Sequence, residues 1–289
     1  MNTKTNNTRN SNKKMTRRNS KQTGASTLER TKKDFKLTKT NRTAKNSKNN
    51  TPQRKTPVKI IPLGGLNEIG KNFTCIECCN DLFIIDCGLA FPDSEMLGVD
   101  IVIPDFTYIE QNINKLRGVV LTHGHEDHIG GLPYFLKKFN TPVYGTRLTL
   151  GLLEGKLKEH GLLGNVKLNV VTPRQTVKLG CMAVEFIRVN HSIPDAVGLA
   201  VHTPAGVIIH TGDFKVDYTP IDGQLMDFGR IAELGQQGIL ALMSDSTNAE
   251  RKGFTMSERS VGDVLDKLFL NCTKRIVVAT FASNVHRVQ

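Results

Sequence analysis

Three of the eight histidines fall within six residues, in His123-Gly124-His125-Glu126-Asp127-His128. Imidazole and carboxylate donors packed this densely suit zinc or a related first-row cation. The segment follows a β-branched run at 118–121 and precedes a helical pattern at 129–139. It therefore occupies the turn at a strand's carboxyl end, the place where open sheets bind ligands. One such turn cannot complete two cation shells, so further donors must come from elsewhere in the chain. His191 follows the run 182–189, Asp213 the run 207–210 and Asp245 the run 239–243, while Asp86 ends the run 82–86. Taken singly, each reads as an ordinary turn residue. Their recurrence at equivalent strand ends makes them candidate ligands or orienting acids.

The elements that must position these donors are short. Apolar, β-branched runs bounded by Gly, Pro, Asn or Asp predict strands at 58–63, 73–78, 82–86, 118–121, 142–144, 166–171, 182–189, 197–201, 207–210, 239–243 and 276–279. Helical patterns lie at 129–139, 148–160 and 257–270. Thr255-Met256-Ser257-Glu258 has the form of a capping box at the start of the last of them. Early strands follow one another closely and later ones alternate with helices, which predicts β-rich sheets with helices packed outside, in the α/β or α+β class.

Charge divides the chain. Residues 1–57 hold 17 of the 39 Lys and Arg but only two acids, Glu29 and Asp34, which leaves 22 bases and 25 acids beyond them. A +15 extension rich in Thr and Asn, with no apolar period, is expected to be disordered. Such an arm suits salt-sensitive attachment to RNA or ribosomes, although with Phe35 as its one aromatic residue it can add little base stacking. The remaining residues suffice for a full core. No run of 18 or more apolar residues and no secretory h-region is visible, and the leader lacks the amphipathic pattern of an organelle transit peptide, so the expected compartment is the cytoplasm.

Two chemical signals are read as structural. Cys75-x-x-Cys78 has redox or zinc spacing but falls inside a strand, and all six cysteines are expected to be buried thiols. Gly65-Leu-Asn-Glu-Ile-Gly70-Lys71 matches a phosphate-cradling loop. It has Asn72 where Ser or Thr would hold magnesium, however, and a strand pattern follows it instead of a helix. A glycine-rich connection is expected there.

The ordered series Asp86, His123-x-His125-x-Asp127-His128, His191 and Asp213 resembles that of the metallo-β-lactamase fold. Within it, Pro62-Leu-Gly-Gly-Leu-Asn-Glu-Ile-Gly-Lys-Asn72, Asp86-Cys-Gly-Leu-Ala-Phe-Pro92, Leu121-Thr-His-Gly-His-Glu-Asp-His-Ile-Gly-Gly131 and Ser244-Asp-Ser-Thr-Asn248 resemble bacterial ribonuclease J, of the β-CASP nuclease family. The likeness runs from about residue 58 to 289. It implies an αββα sandwich over 58–255, with 256–289 as the beginning of an inserted β-CASP domain. It implies two zinc ions, with manganese or magnesium as substitutes: His123, His125 and His191 on the first, Asp127 and His128 on the second, Asp213 bridging, and Asp86 orienting from behind. Asp245 matches the first β-CASP motif and would organise the site from the domain junction, and Asp127 would manage the proton of the attacking water. The implied activity is 5′-to-3′ exonucleolytic and endonucleolytic cleavage in RNA maturation and decay, by hydroxide attack on the phosphodiester. RNA is the implied substrate, with a ribosome or RNA helicase as further partners and homo-oligomers in the full-length family.

The chain departs from that family in stopping early. The later β-CASP histidines, the 5′-phosphate pocket and the dimer-forming part would lie past residue 289, so a truncated chain with a labile second metal site and weak or absent catalysis is expected. Rival readings are a non-catalytic RNA-binding fragment and another hydrolase of the same fold acting on thioesters or lactams. The glycine-rich opening and 244–248 oppose the latter.

Overall fold

The computed structural model describes residues 56–281 and 283–285. The disorder expected over 1–57 falls, up to residue 55, outside the described residues. One six-stranded sheet contains, in spatial order, β1 (Val58–Gly64), β2 (Phe73–Cys78), β3 (Asp81–Ile85), β4 (Leu116–Val120), β5 (Val143–Gly145) and β6 (Leu168–Val170). The first three pair antiparallel and the rest run parallel from β3 onward. A five-stranded sheet contains β7 (Thr176–Leu179), β8 (Met182–Arg188), β9 (Val197–Thr203), β10 (Gly206–His210) and β11 (Ala241–Met243), ordered β11-β10-β9-β8-β7. All its pairs are antiparallel except β10 with β11.

β3 reads as an unbroken apolar run from Leu82 to Ile85 because both of its faces are covered. On β3, Leu82 and Ile84 point into an outer core with Ile109, Leu132, Phe135, Leu150 and Leu153. Phe83 and Ile85 point the other way, into a core between the sheets with Val184, Phe186, Leu199 and Ile208. The outer core is closed by α1 (Thr107–Gln111), α3 (Leu132–Lys138) and α4 (Arg147–Glu159). The far face of the second sheet, at Ile187, Ala200 and Ile209, is covered by Leu234 of α5 (Phe228–Gln237). The result is four layers, helix, sheet, sheet, helix, as the αββα expectation required. No helix among the described residues is long and apolar enough to cross a membrane.

Several local expectations are corrected. The helix expected at 129–139 is two: α2 (Glu126–Ile129) and α3, parted at Gly130-Gly131. The break arises because a Cβ on Gly131 would come within 2.5 Å of the Gly88 carbonyl, so only a bare backbone passes there. α6 (Arg259–Leu270) starts without the expected capping box; the Glu258 N–H and Ser257 hydroxyl instead donate to the carboxylate of Asp217, a residue distant in sequence. Residues 276–279 join neither sheet and are solvent-exposed, since strand propensity stabilises little without a pairing neighbour. Cys79 and Cys272 are exposed and Cys181 half-buried, against the expectation of six buried thiols. The segment 65–71 is a connection with Gly65 and Gly70 at positive φ, followed directly by β2, as expected.

Candidate metal centre

The residues singled out for metal chemistry follow strand ends on one edge of the sandwich, with Asp127 and His128 carried in the short helix α2 that comes after β4. Asp86 directly follows β3, with φ of 59°, a left-handed conformation that Asp tolerates better than most residues. Its buried carboxylate accepts the Thr122 N–H at 2.8 Å, the Thr122 hydroxyl at 2.7 Å and His128 Nδ1–H at 2.8 Å. Because a carboxylate only accepts, the last bond places a proton on His128 Nδ1 and turns Nε2 toward the centre.

The 86–89 strip also cradles the histidine turn through backbone pairs: Cys87 N–H donates to the His128 carbonyl at 2.8 Å and Leu89 N–H to that of Glu126 at 3.1 Å. This approach demands glycine at 88, where a Cβ would lie 1.6 Å from the Asp127 carbonyl oxygen. The turn's three histidines are thus fixed by β3 and β4 together, and α2 is entered from His125.

His191, beyond β8, closes the first donor group from the second sheet. His123 Nε2 and His191 Nε2 lie 3.0 and 3.2 Å from His125 Nδ1. Tetrahedral zinc with nitrogen bonds of about 2.05 Å has an edge of about 3.3 Å, so these separations match ligands around one ion. His123, His125 and His191 each place a nitrogen within 4.8 Å of the others, and so do donors of His123, His128 and Asp213. Asp213, beyond β10, sets one oxygen 3.4 Å from His128 Nε2 and the other 3.7 Å from His191 Nε2. Asp127 lies at the rim, with Oδ2 3.6 Å from His128 Nε2 and 3.4 Å from Asn72 Nδ2. Asp245, after β11, stands apart from both groups. Its N–H donates to Thr211 Oγ1 and its carboxylate accepts the Thr247 N–H, and with His191, Tyr218 and Phe254 it lines a cleft of about 820 Å³.

Burial holds His123 and His125 below the ordinary imidazole range and pushes His191 down to about 4, so their nitrogen lone pairs are available at neutral pH. Burial also opposes charge on His128, but Asp86 and Asp213 outweigh it and hold that pKa well up. For Asp213, burial favours the neutral acid and the adjoining His128 overcomes it, leaving the carboxylate ionised. The set is therefore three neutral imidazoles, the ionised Asp213 carboxylate and one histidine that must exchange its Nε2 proton for a metal. These donors fit divalent ions.

Thr122, Asn72 and Gly88 were not foreseen as part of the site. Thr122 links Asp86 to His123 Nδ1, 3.1 Å from its hydroxyl, and Asn72 Nδ2 lies 3.0 Å from His128 Nε2. A signal for Asn72 existed in the closing position of the glycine-rich opening.

Residues 70–249 match the family model described as the Metallo-beta-lactamase superfamily. The chain belongs to that superfamily. Membership carries divalent metal binding with it, and the His and Asp groups above are where this superfamily member can hold such ions. The chain is 53% identical over 233 residues to ribonuclease J of Synechocystis sp., covering 80% of this chain and 36% of that protein. It is 47% identical over 239 residues to ribonuclease J of Thermus thermophilus, covering 80% of this chain and 42% of the relative. It thus spans about two fifths of the length of these relatives. A crystal structure of a protein of unknown function from Enterococcus faecalis V583 shares the fold, with TM-score 0.57 and 18% identity over 79% of this chain and 61% of the other.

Proposed function

We propose that this chain carries the metal centre of a ribonuclease of the ribonuclease J type and hydrolyses RNA phosphodiesters, releasing 5′-phosphate products by exonucleolytic and endonucleolytic cleavage. The reading is carried by one observation: in a chain 53% identical to a ribonuclease J, histidine and aspartate donors from two sheets converge at ligand spacing. His123, His125 and His191 would hold one ion, His128 with Asp127 a second, and Asp213, with an oxygen toward each, would serve both. Two zinc or manganese ions would supply Lewis-acid neutralisation of phosphodiester charge and acidify the attacking water.

The protein's own groups do the rest. Asp86 fixes the His128 tautomer through Nδ1, and Thr122 couples that carboxylate to the His123 ring. Asp127, partly exposed and with Oδ2 3.4 Å from Asn72 Nδ2, would take a proton from an incoming nucleophile. Asp245 shapes the cleft wall beside His191, where the exposed rings of Tyr218 and Phe254 can stack on bases. On this reading residues 58–255 form the lactamase-type domain and 256–289 begin a β-CASP domain, with RNA as partner in the cytoplasm and the basic extension as its electrostatic arm.

The test is turnover of 5′-monophosphorylated RNA by the purified chain with manganese or zinc, alongside Asp213→Asn and a chelated control. Cleavage that is lost in both controls supports the reading. Tight metal binding with hydrolysis of a thioester or lactam and no action on RNA overturns it.

A further inference from the structure

A second cluster of metal-type donors lies at the opposite end of β3 from Asp86. Asp86 comes five positions after Asp81, so a strand's rise sets the two places about 16 Å apart. Cys78 ends β2, Cys79 is the first residue of the two-residue turn into β3, and Cys181 lies in the turn between β7 and β8. The two turns belong to different sheets, yet the three Sγ atoms lie within 4.8 Å of one another, with Cys78 and Cys79 at 3.8 Å.

This meeting is built. Asp81 accepts the Cys181 N–H at 2.7 Å and is itself gripped by Arg117 Nε, while Cys181 Sγ rests 3.2 Å from the Cys78 carbonyl oxygen. Gly180 has no Cβ, and one would strike the Asp81 carboxylate at 2.0 Å. Cys79, at φ of 56°, adopts the left-handed backbone that non-glycine residues rarely adopt, and it is exposed, leaving an entry path. Cys75, the other half of the Cys-x-x-Cys spacing, points into the outer core instead.

We propose that Cys78, Cys79 and Cys181 form a binding site for a soft, thiophilic cation of the copper(I) or cadmium class, independent of the histidine centre. Ions with bonds near 2.3 Å to sulfur require Sγ separations of about 4 Å, which these thiols approach. Thiolate ligands select such ions over magnesium, calcium or manganese, and a three-donor set suits trigonal coordination. Burial raises the Cys78 thiol and pushes Cys181 up to about 12, so only an ion that binds thiolate strongly displaces those protons. A bound ion would tie the β2–β3 turn to the β7–β8 turn and so hold the two sheets together at this end.

Cadmium is the probe, because sulfur-to-cadmium charge-transfer absorption reports thiolate ligation and is silent at histidine and aspartate sites. Titration of the reduced full chain should develop this band to saturation at one equivalent. Cys181→Ser and, at the exposed position, Cys79→Ser should each weaken the band and lower affinity about tenfold or more. Cys75→Ser, Cys272→Ser and Asp213→Asn should leave it intact. A reduced chain without the band, or a band of full amplitude and affinity in both Cys79→Ser and Cys181→Ser, overturns the proposal.

Discussion

Replacing Asp86 with Asn changes one atom of a buried carboxylate, and the structure gives the consequence of each bond. Oδ1 can still accept the Thr122 N–H, now at 2.8 Å, and the Thr122 hydroxyl can rotate to accept from the new amide. The bond from His128 Nδ1, at 2.8 Å, has no such escape, because the amide presents N–H to N–H. A hydrogen bond to a charged group contributes about 1.5–3 kcal/mol, so Asp86→Asn should cost about 2 kcal/mol in folding stability, read from urea denaturation. The larger effect is on His128 itself. Relief of the clash removes the Nδ1 proton and leaves the ring's one remaining proton on Nε2, the nitrogen 3.4 Å from Asp213, where it blocks the lone pair a metal needs. Loss of an orienting partner of this kind lowers metal affinity by about 10–100-fold. Nitrogen-15 spectra of the imidazoles should show His128 Nδ1 deprotonated, and calorimetric titration with manganese should show the His128 side weakened while the group of His123, His125 and His191 keeps its affinity. An Asp86→Asn chain that retains the Nδ1–H form and wild-type affinity on both sides would refute this account of the site.

Gly88→Ala should be worse than any surface change, since its methyl group would sit 1.6 Å from the Asp127 carbonyl; expect stability to fall by about 3 kcal/mol or more and metal uptake to fall with it, measured by melting with and without zinc. Glu77 gives a pH dependence. Burial raises its pKa, but the Tyr108 hydroxyl and the Lys59 and Lys115 ammonium groups prevail and hold it at about 2 against an ordinary 4.5. The depressed value makes its stabilisation, about 3 kcal/mol, complete above pH 4.5 and lost as pH falls toward 2; Glu77→Gln should flatten that limb of an acid-denaturation curve. Each zinc site filled at about 100 times its dissociation constant should raise stability by about 2.7 kcal/mol, and His123→Ala should abolish the increment from the site of His123, His125 and His191 in calorimetry.

The site was legible because its chemistry is concentrated. Asp86, His123, His125, His191 and Asp213 each sit just past an apolar run, and strand ends are readable wherever both faces of a sheet are buried. Thr122, Asn72 and Gly88 were harder to see because their roles depend on the close passage of residues 86–89 under the histidine turn. β7 escaped notice because its Thr176–Leu179 segment is half-polar and lies at a sheet edge, so it shows no clear run. α5 was missed because Gly229 and Gly235 weaken its helical signal, and Asp227, which caps it by accepting the Arg230 N–H, is recognisable only once the helix is known. The thiol cluster joins residues about a hundred positions apart, a juxtaposition that only the stacking of the two sheets creates.

The histidine centre straddles the seam of the sandwich: Asp86, His123, His125 and His128 hang from one layer, His191 and Asp213 from the other. An ion seated there is a clasp that closes only when both layers are already in register, so its occupancy reports their docking. Prying the layers apart must first eject the ion, and hydrogen exchange at β4 and β10 should therefore slow in step as the clasp is filled.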